Sequence, residues 1–174
     1  MSDQPQLTVL EHGKPITYTF ADIIKYHGMS FPGGVAQAFK VMQRGFALLA
    51  EPGRIERLEV EIDTAFPGPG ARDAFEMVTR AVTGNRFKLD STLGGPEILG
   101  GKNWRYFFRL RYRGGEADMT IRPGHVRPEF LELGAKKDRT PAEGERLTWL
   151  KQEMADRLMK LPSAEVYDGV LRRL

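Results

Sequence analysis

Residues 103–113 alternate with a period of two. Trp104, Tyr106, Phe108, Leu110 and Tyr112 fall on one side; Arg105, Phe107, Arg109, Arg111 and Arg113 fall on the other. An extended strand sends successive side chains to opposite faces, so the run predicts a strand with one aromatic, buried face and one charged face. Gly114-Gly115 reads as a two-residue hairpin connection from which residues 116–122 return. In that register Arg113 opposes Glu116, Arg111 opposes Asp118, Leu110 faces Met119 and Phe108 faces Ile121, so both faces pair like with like. A chain containing this hairpin is committed to a sheet with one dry side, which other segments must cover.

Helical periodicity supplies the cover. Phe20, Ile23 and Ile24 mark a short amphipathic stretch running to His27, and a loop over 28–34 with Pro32 and three glycines interrupts it. Val35, Phe39, Met42, Phe46 and Leu49 then recur at three- and four-residue steps, a core-facing helix of about four turns. Residues 57–63 alternate as a half-buried strand. A helix over about 71–82 turns Ala74, Met77, Val78 and Ala81 inward, and residues 85–89 read as a further strand. The stretch 91–101, with four glycines and a proline, is a long loop of the kind that often carries function. Thr140-Pro141-Ala142-Glu143 is a capping box with proline at the first helical position. The helix behind it buries Leu147, Leu150, Met154 and Leu158 and ends before Pro162, and 163–174 reads as a last short helix. Near the N-terminus, 7–10 and 16–20 form a hairpin. The expected architecture is α+β, one mixed β-sheet with flanking helices, in a single domain over 1–174: a hairpin over 1–19 and a core over 20–167.

Composition narrows the chemistry. The 174 residues include no cysteine, which removes disulfides, thiolate metal sites and thiol nucleophiles. A net charge of +3 is too small to argue for nucleic acid or an anionic membrane as partner. No apolar run approaches the ~20 residues that cross a bilayer. The first residues have neither the basic nor the apolar part of a signal peptide, so the expected compartment is the cytoplasm.

One segment is more specific. His27-Gly28-Met29-Ser30-Phe31-Pro32-Gly33 resembles the motif His-Gly-His-x-Cys-Pro-Gly of the formylmethanofuran dehydrogenase E-subunit-like family. Further likenesses follow in order at Thr64-Ala65-Phe66, Asp73-Ala74-Phe75-Glu76, Thr79 to Asn85, Gly101-Lys102 and Leu161-Pro162 with Val166-Tyr167. The resemblance implies the fold of that family, a homodimer, and a site where the His27–Phe31 loop, the Phe66 turn and the Asp73 helix converge. It also implies a motif zinc, but Met29, Phe31, Phe66 and Ala81 stand where the family has histidine or cysteine. Those side chains offer no thiolate or imidazole, so zinc is not expected and the cofactor is unknown.

The candidate residues carry competing roles. His27 suits either an acid/base role, with Asp73 or Lys102 as its partner, or the plainer task of completing the last carbonyls of its helix. Asp73 equally suits a favourable place at a helix start. Met29, Phe31, Phe66 and Lys102 are the expected ligand-binding set, the two rings as apolar walls, with core packing the plain alternative for Met29. Lys102, Arg80, Arg86 and Lys88 are basic residues able to gather around an anion, whereas the strand arginines find carboxylates across the hairpin. Three functional readings stand: a metal-free small-molecule or cofactor-binding protein, a metal-independent enzyme using His27, and an accessory component of an oxidoreductase complex.

Overall fold

The structure, a computed structural model, describes residues 4–100 and 104–174. In chain order its elements are β1 (Gln6–Glu11), β2 (Lys14–Thr19), α1 (Phe20–His27), α2 (Pro32–Leu49), β3 (Glu61–Thr64), α3 (Pro69–Thr79) and β4 (Phe87–Leu89). There follow β5 (Phe107–Tyr112), β6 (Gly115–Ile121), α4 (Pro128–Ala135), α5 (Pro141–Met159), α6 (Ser163–Val166) and β7 (Tyr167–Arg173). β1 and β2 form a two-stranded sheet, with one further bridge from Leu10 to Glu56, while five strands form a second sheet in the order β4-β3-β5-β6-β7. β4 runs parallel to β3 and the other neighbours are antiparallel, so the class is α+β with a mixed sheet.

The spine is α2. Pro32 starts it at the position where a missing N–H costs nothing, so Gly33 and Gly34, expected in the loop, lie inside the helix. Thirteen of its 18 residues are buried. A helix that is apolar nearly all round must be covered nearly all round. The β5–β6–β7 side of the sheet covers one flank, and α3 and α5 pack closely on others, with α1 and α6 also in contact. The aromatic face of β5 completes this core through Phe108, Leu110 and Tyr112, as the alternation predicts.

Four local expectations are corrected. The β5–β6 turn is Arg113-Gly114, both at positive φ (44° and 77°), and Tyr112 rather than Arg113 closes the ladder opposite Gly115. Arg111 therefore opposes Glu116, Arg109 opposes Asp118, Leu110 opposes Ala117 and Phe108 opposes Met119. The tight turn needs positive φ at both central residues, and a slip of two leaves every side chain on its original face. Second, the strand is Glu61–Thr64, so only the last three residues of the 57–63 run belong to it; Arg57–Glu59 make a single 3-10 turn. Arg57 is drawn inward because its guanidinium donates to the carbonyls of Val78 (2.8 Å) and Met77 (2.6 Å) near the end of α3. Third, α3 runs over Pro69–Thr79 and stops at left-handed Arg80, so both its ends come earlier than expected. Fourth, the expected C-terminal helix is one turn, α6, followed by strand β7. Its Tyr167 is fully buried and donates its hydroxyl to Gln37 Oε1 (2.5 Å), and its backbone fills the open edge of β6 from Gly115↔Arg173 to Ile121↔Tyr167. Tertiary pairing outweighs local helical preference there.

The packing of α2 makes two expectations measurable. Lys40 is buried on this helix, its ammonium donating to Leu161 O (2.7 Å) and Gln43 Oε1 (3.0 Å), and burial pushes its pKa down from 10.5 to about 8. The folded state therefore disfavours the proton that the unfolded chain still holds. The penalty is fully present below pH 8 and fades as pH rises from 8 towards 10.5. Stability of the wild type should climb through that window with a slope of up to about 1.4 kcal/mol per pH unit. Urea titrations of Lys40→Met should show a flatter profile. At the α2–α3 contact, a Cβ on Gly70 would collide with the carbonyl oxygen of Phe31. Gly70→Ala should cost about 2 kcal/mol in the same assay, because neither backbone can retreat.

Candidate functional site

His27 and Asp73 meet. His27 closes α1, and its Nδ1 lies 2.8 Å from Asp73 Oδ2 on α3, with the imidazole 5% and the carboxylate 33% exposed. A carboxylate only accepts, so the His27 Nδ1–H is the donor in this bond. Nε2 is buried and has no hydrogen-bond partner among the described residues. The ring thus reaches across to α3 instead of capping its own helix, where the Gly28 N–H donates to Ile24 O. Because α3 begins at Pro69, Asp73 stands in its second turn, beyond the first-turn position that favours a carboxylate.

Phe31 lies next to this pair, its ring centroid 6.0 Å from that of His27. Phe31 also walls a cavity of about 370 Å³, together with Trp104, Phe130, Leu131, Leu147 and Lys151. Phe66 forms the back of the same region. It is a core ring stacked near Tyr106 (4.7 Å) and Phe108 (5.8 Å), with the edge of Trp104 at 5.8 Å, and it shares a void of about 30 Å³ with Phe31. Phe31 and Phe66 therefore do converge. Met29 does not pack in the core: it is 75% exposed, on the short connection between α1 and α2. Ala81 is buried beyond the far end of α3, an 11-residue helix, about 16 Å along its axis from the end where Phe66 enters. Lys102 lies outside the described residues. Two of the four positions where the resemblance places metal donors thus sit together, and they hold phenyl rings with no donor atom. Among the described residues no group of three or more His, Asp or Glu is placed to hold a metal ion.

The rest of the cavity comes from elements that sequence reasoning did not assign to a site. α4 supplies Phe130, Leu131 and Gly134, and α5 supplies Leu147 and Lys151, four residues apart and so on one face. The signal for α4 was present: Pro128 at the first helical position, Glu129 in the first turn, then Phe130, Leu131 and Gly134 at helical spacing. α4 buries no residue fully. Ion pairs bind it and its flanks to α5: Arg127–Glu153 (3.1 Å), Arg146–Glu129 (2.6 Å) and Lys136–Glu143 (2.6 Å). Hydrogen bonds from Arg127 and Arg157 hold the Glu153 carboxyl down at about 2.

Other basic residues are already engaged. Arg86 donates to the carbonyls of Val60 (2.5 Å) and Thr79 (3.0 Å), and Arg80 pairs with Glu76 (3.3 Å). These two are therefore structural rather than gathered around an anion. On the outer face of the sheet Arg109 binds Asp118 through both carboxylate oxygens (2.7 and 2.9 Å), and Arg111 bridges Glu116 and Asp63 (2.8 Å each). Arg113, displaced into the turn, pairs with Glu59 (2.6 Å) instead of Glu116. No helix among the described residues is long and apolar enough to cross a membrane.

The arrangement suits binding of an apolar body in the cavity, with the His27–Asp73 pair one ring away from it. No protein-family model matches the chain, and no curated protein does. The His27–Asp73 bond can be tested directly. Asp73→Asn keeps an acceptor oxygen for Nδ1 and should cost under about 1 kcal/mol, whereas Asp73→Ala leaves both ring nitrogens unpartnered and should cost about 1–3 kcal/mol. Denaturant midpoints of the two variants measure the difference.

Proposed function

We propose that this chain is a metal-free small-molecule-binding protein whose ligand occupies the cavity between Phe31, Trp104, α4 and α5. The observation that carries the reading is the cavity itself. At about 370 Å³ it falls in the range of small-molecule sites, and aromatic and aliphatic side chains line it, with few polar groups. Trp104 is 40% exposed, a large aromatic surface left open where a flat ligand could stack. The segment that resembles the formylmethanofuran dehydrogenase E-subunit-like motif supplies Phe31 to this wall. A shared scaffold with those proteins, homodimer included, fits the reading but is not needed for it.

A catalytic role has one observation in its favour, the buried and unpartnered Nε2 of a histidine oriented by a carboxylate. His27 is not part of the cavity wall, and Phe31 intervenes. Ligand binding is therefore the better-supported reading.

Gly134 offers a test that separates binding from folding. It lies on the cavity wall within α4, and a Cβ there would meet nothing within 4 Å. Gly134→Leu should raise the helix preference of α4 by up to about 1 kcal/mol while filling part of the cavity. A neutral bicyclic aromatic, 2-naphthamide, should bind the wild type in calorimetric titration and bind Gly134→Leu at least about tenfold more weakly, with the melting temperature unchanged or raised. Equal binding to both proteins, or binding of neither this probe nor a charged analogue of the same shape to the wild type at millimolar concentration, overturns the proposal.

A further inference from the structure

The cavity has an electrostatic character that its apolar walls do not suggest. Lys151 projects from α5 with its ammonium 4.3 Å from the centroid of the Phe31 ring. Arg139 lies on the same wall, where its Nη1 donates to the carbonyls of Leu133 (2.9 Å) and Lys136 (2.8 Å) at the end of α4. Neither cation has a carboxylate partner among the described residues. Of the other cations on and around the same two helices, Arg127, Arg146, Arg157 and Lys136 are paired with glutamates, while Lys137 and Lys160 are not part of the cavity wall. Burial, with Arg139 beside it, pushes the Lys151 ammonium below the usual lysine range, the mark of a charge set against its like in a partly dry place. The face of Phe31 attracts the cation but leaves its charge uncompensated.

Two unpaired cations beside three aromatic walls call for a ligand with one negative end and one flat apolar end. Resting on the reading of this cavity as a small-molecule site, we infer that its ligands are aromatic carboxylates, with the carboxylate held by Lys151 and the ring between Phe31, Trp104 and Phe130. The Arg139 fork is partly committed to α4 carbonyls, which leaves Lys151 as the principal charge partner and favours a monoanion over a polyanion. Lys151 would there replace a costly unpaired charge with a desolvated ion pair, an interaction that the neutral amide of the same shape cannot make.

The test compares 2-naphthoate with 2-naphthamide, which differ in charge and scarcely in shape, by calorimetric titration at pH 7. The wild type should bind the carboxylate about tenfold or more tightly than the amide. Lys151→Met should lose that preference while still binding the amide, which shows that the loss is not misfolding, and Lys151→Arg should keep it. Equal affinity of the wild type for the two probes overturns the carboxylate inference and leaves the binding site standing. A preference that survives in Lys151→Met also overturns it, because the anion would then be read elsewhere. Failure of both probes to bind the wild type removes the site and the inference together.

Discussion

The need to cover α2 on nearly every side organises the molecule. A surface helix can leave half its circumference to water, but one with Phe39, Met42, Val41 and Ala38 all fully buried cannot. The sheet, α3 and α5 are placed by that demand, and the close approach of α3 is possible because Gly70 and Gly34 let two helix starts touch backbone to backbone. The polar residues on α2 set its register. Gln37 accepts from Tyr167 and donates to Met154 Sδ (3.3 Å), while Lys40 holds the carbonyl of Leu161. All three partners lie in the last quarter of the chain, so the buried polar side chains of the spine define where that quarter docks. A hydrophobic surface alone would have tolerated several positions.

The cavity lies where this covering is incomplete. α5 packs its Leu150, Met154 and Leu158 into the core, but α4 buries nothing fully and is tied down by exposed or half-exposed ion pairs. Such pairs are individually worth about 0–1 kcal/mol and are weakened by salt. The α4 wall of the cavity is thus weakly attached, whereas Phe31 and Phe66 are fixed by the α2–α3 contact and the aromatic cluster.

Much of the fold was legible in the sequence because period and capping are local. The β5 alternation, the spacing of α2 and the Thr140 capping box each state one face and one boundary. What escaped depended on distant groups. Arg57 reads as the exposed face of a strand until the carbonyls of Met77 and Val78 draw it inward. Residues 167–173 read as helical until the edge of β6 is there to pair with them. At the site, the resemblance implied that His27, Asp73, Phe31 and Phe66 converge with Lys102, and the first four do lie in one neighbourhood. Sequence misjudged Met29, whose apolar character gave no hint that the α1–α2 connection would leave it in water. Lys151 carried no signal, since a lysine on an amphipathic helix is ordinarily solvated, and its lack of a partner emerges only when α4 and Phe31 surround it.

The pairing pattern of the large sheet also bears on how quickly the chain can assemble. Only β5 and β6 join through a tight turn; Glu61 meets Arg111 and Gly115 meets Arg173, bridges that close loops of roughly fifty residues or more. Contacts so remote in sequence demand their entropy before they return any enthalpy, which slows assembly relative to a chain of the same size built from local contacts alone. Within this sheet the Arg113-Gly114 turn is the one connection that closes locally, and the strands on either side of the hairpin are reached only through the intervening helices.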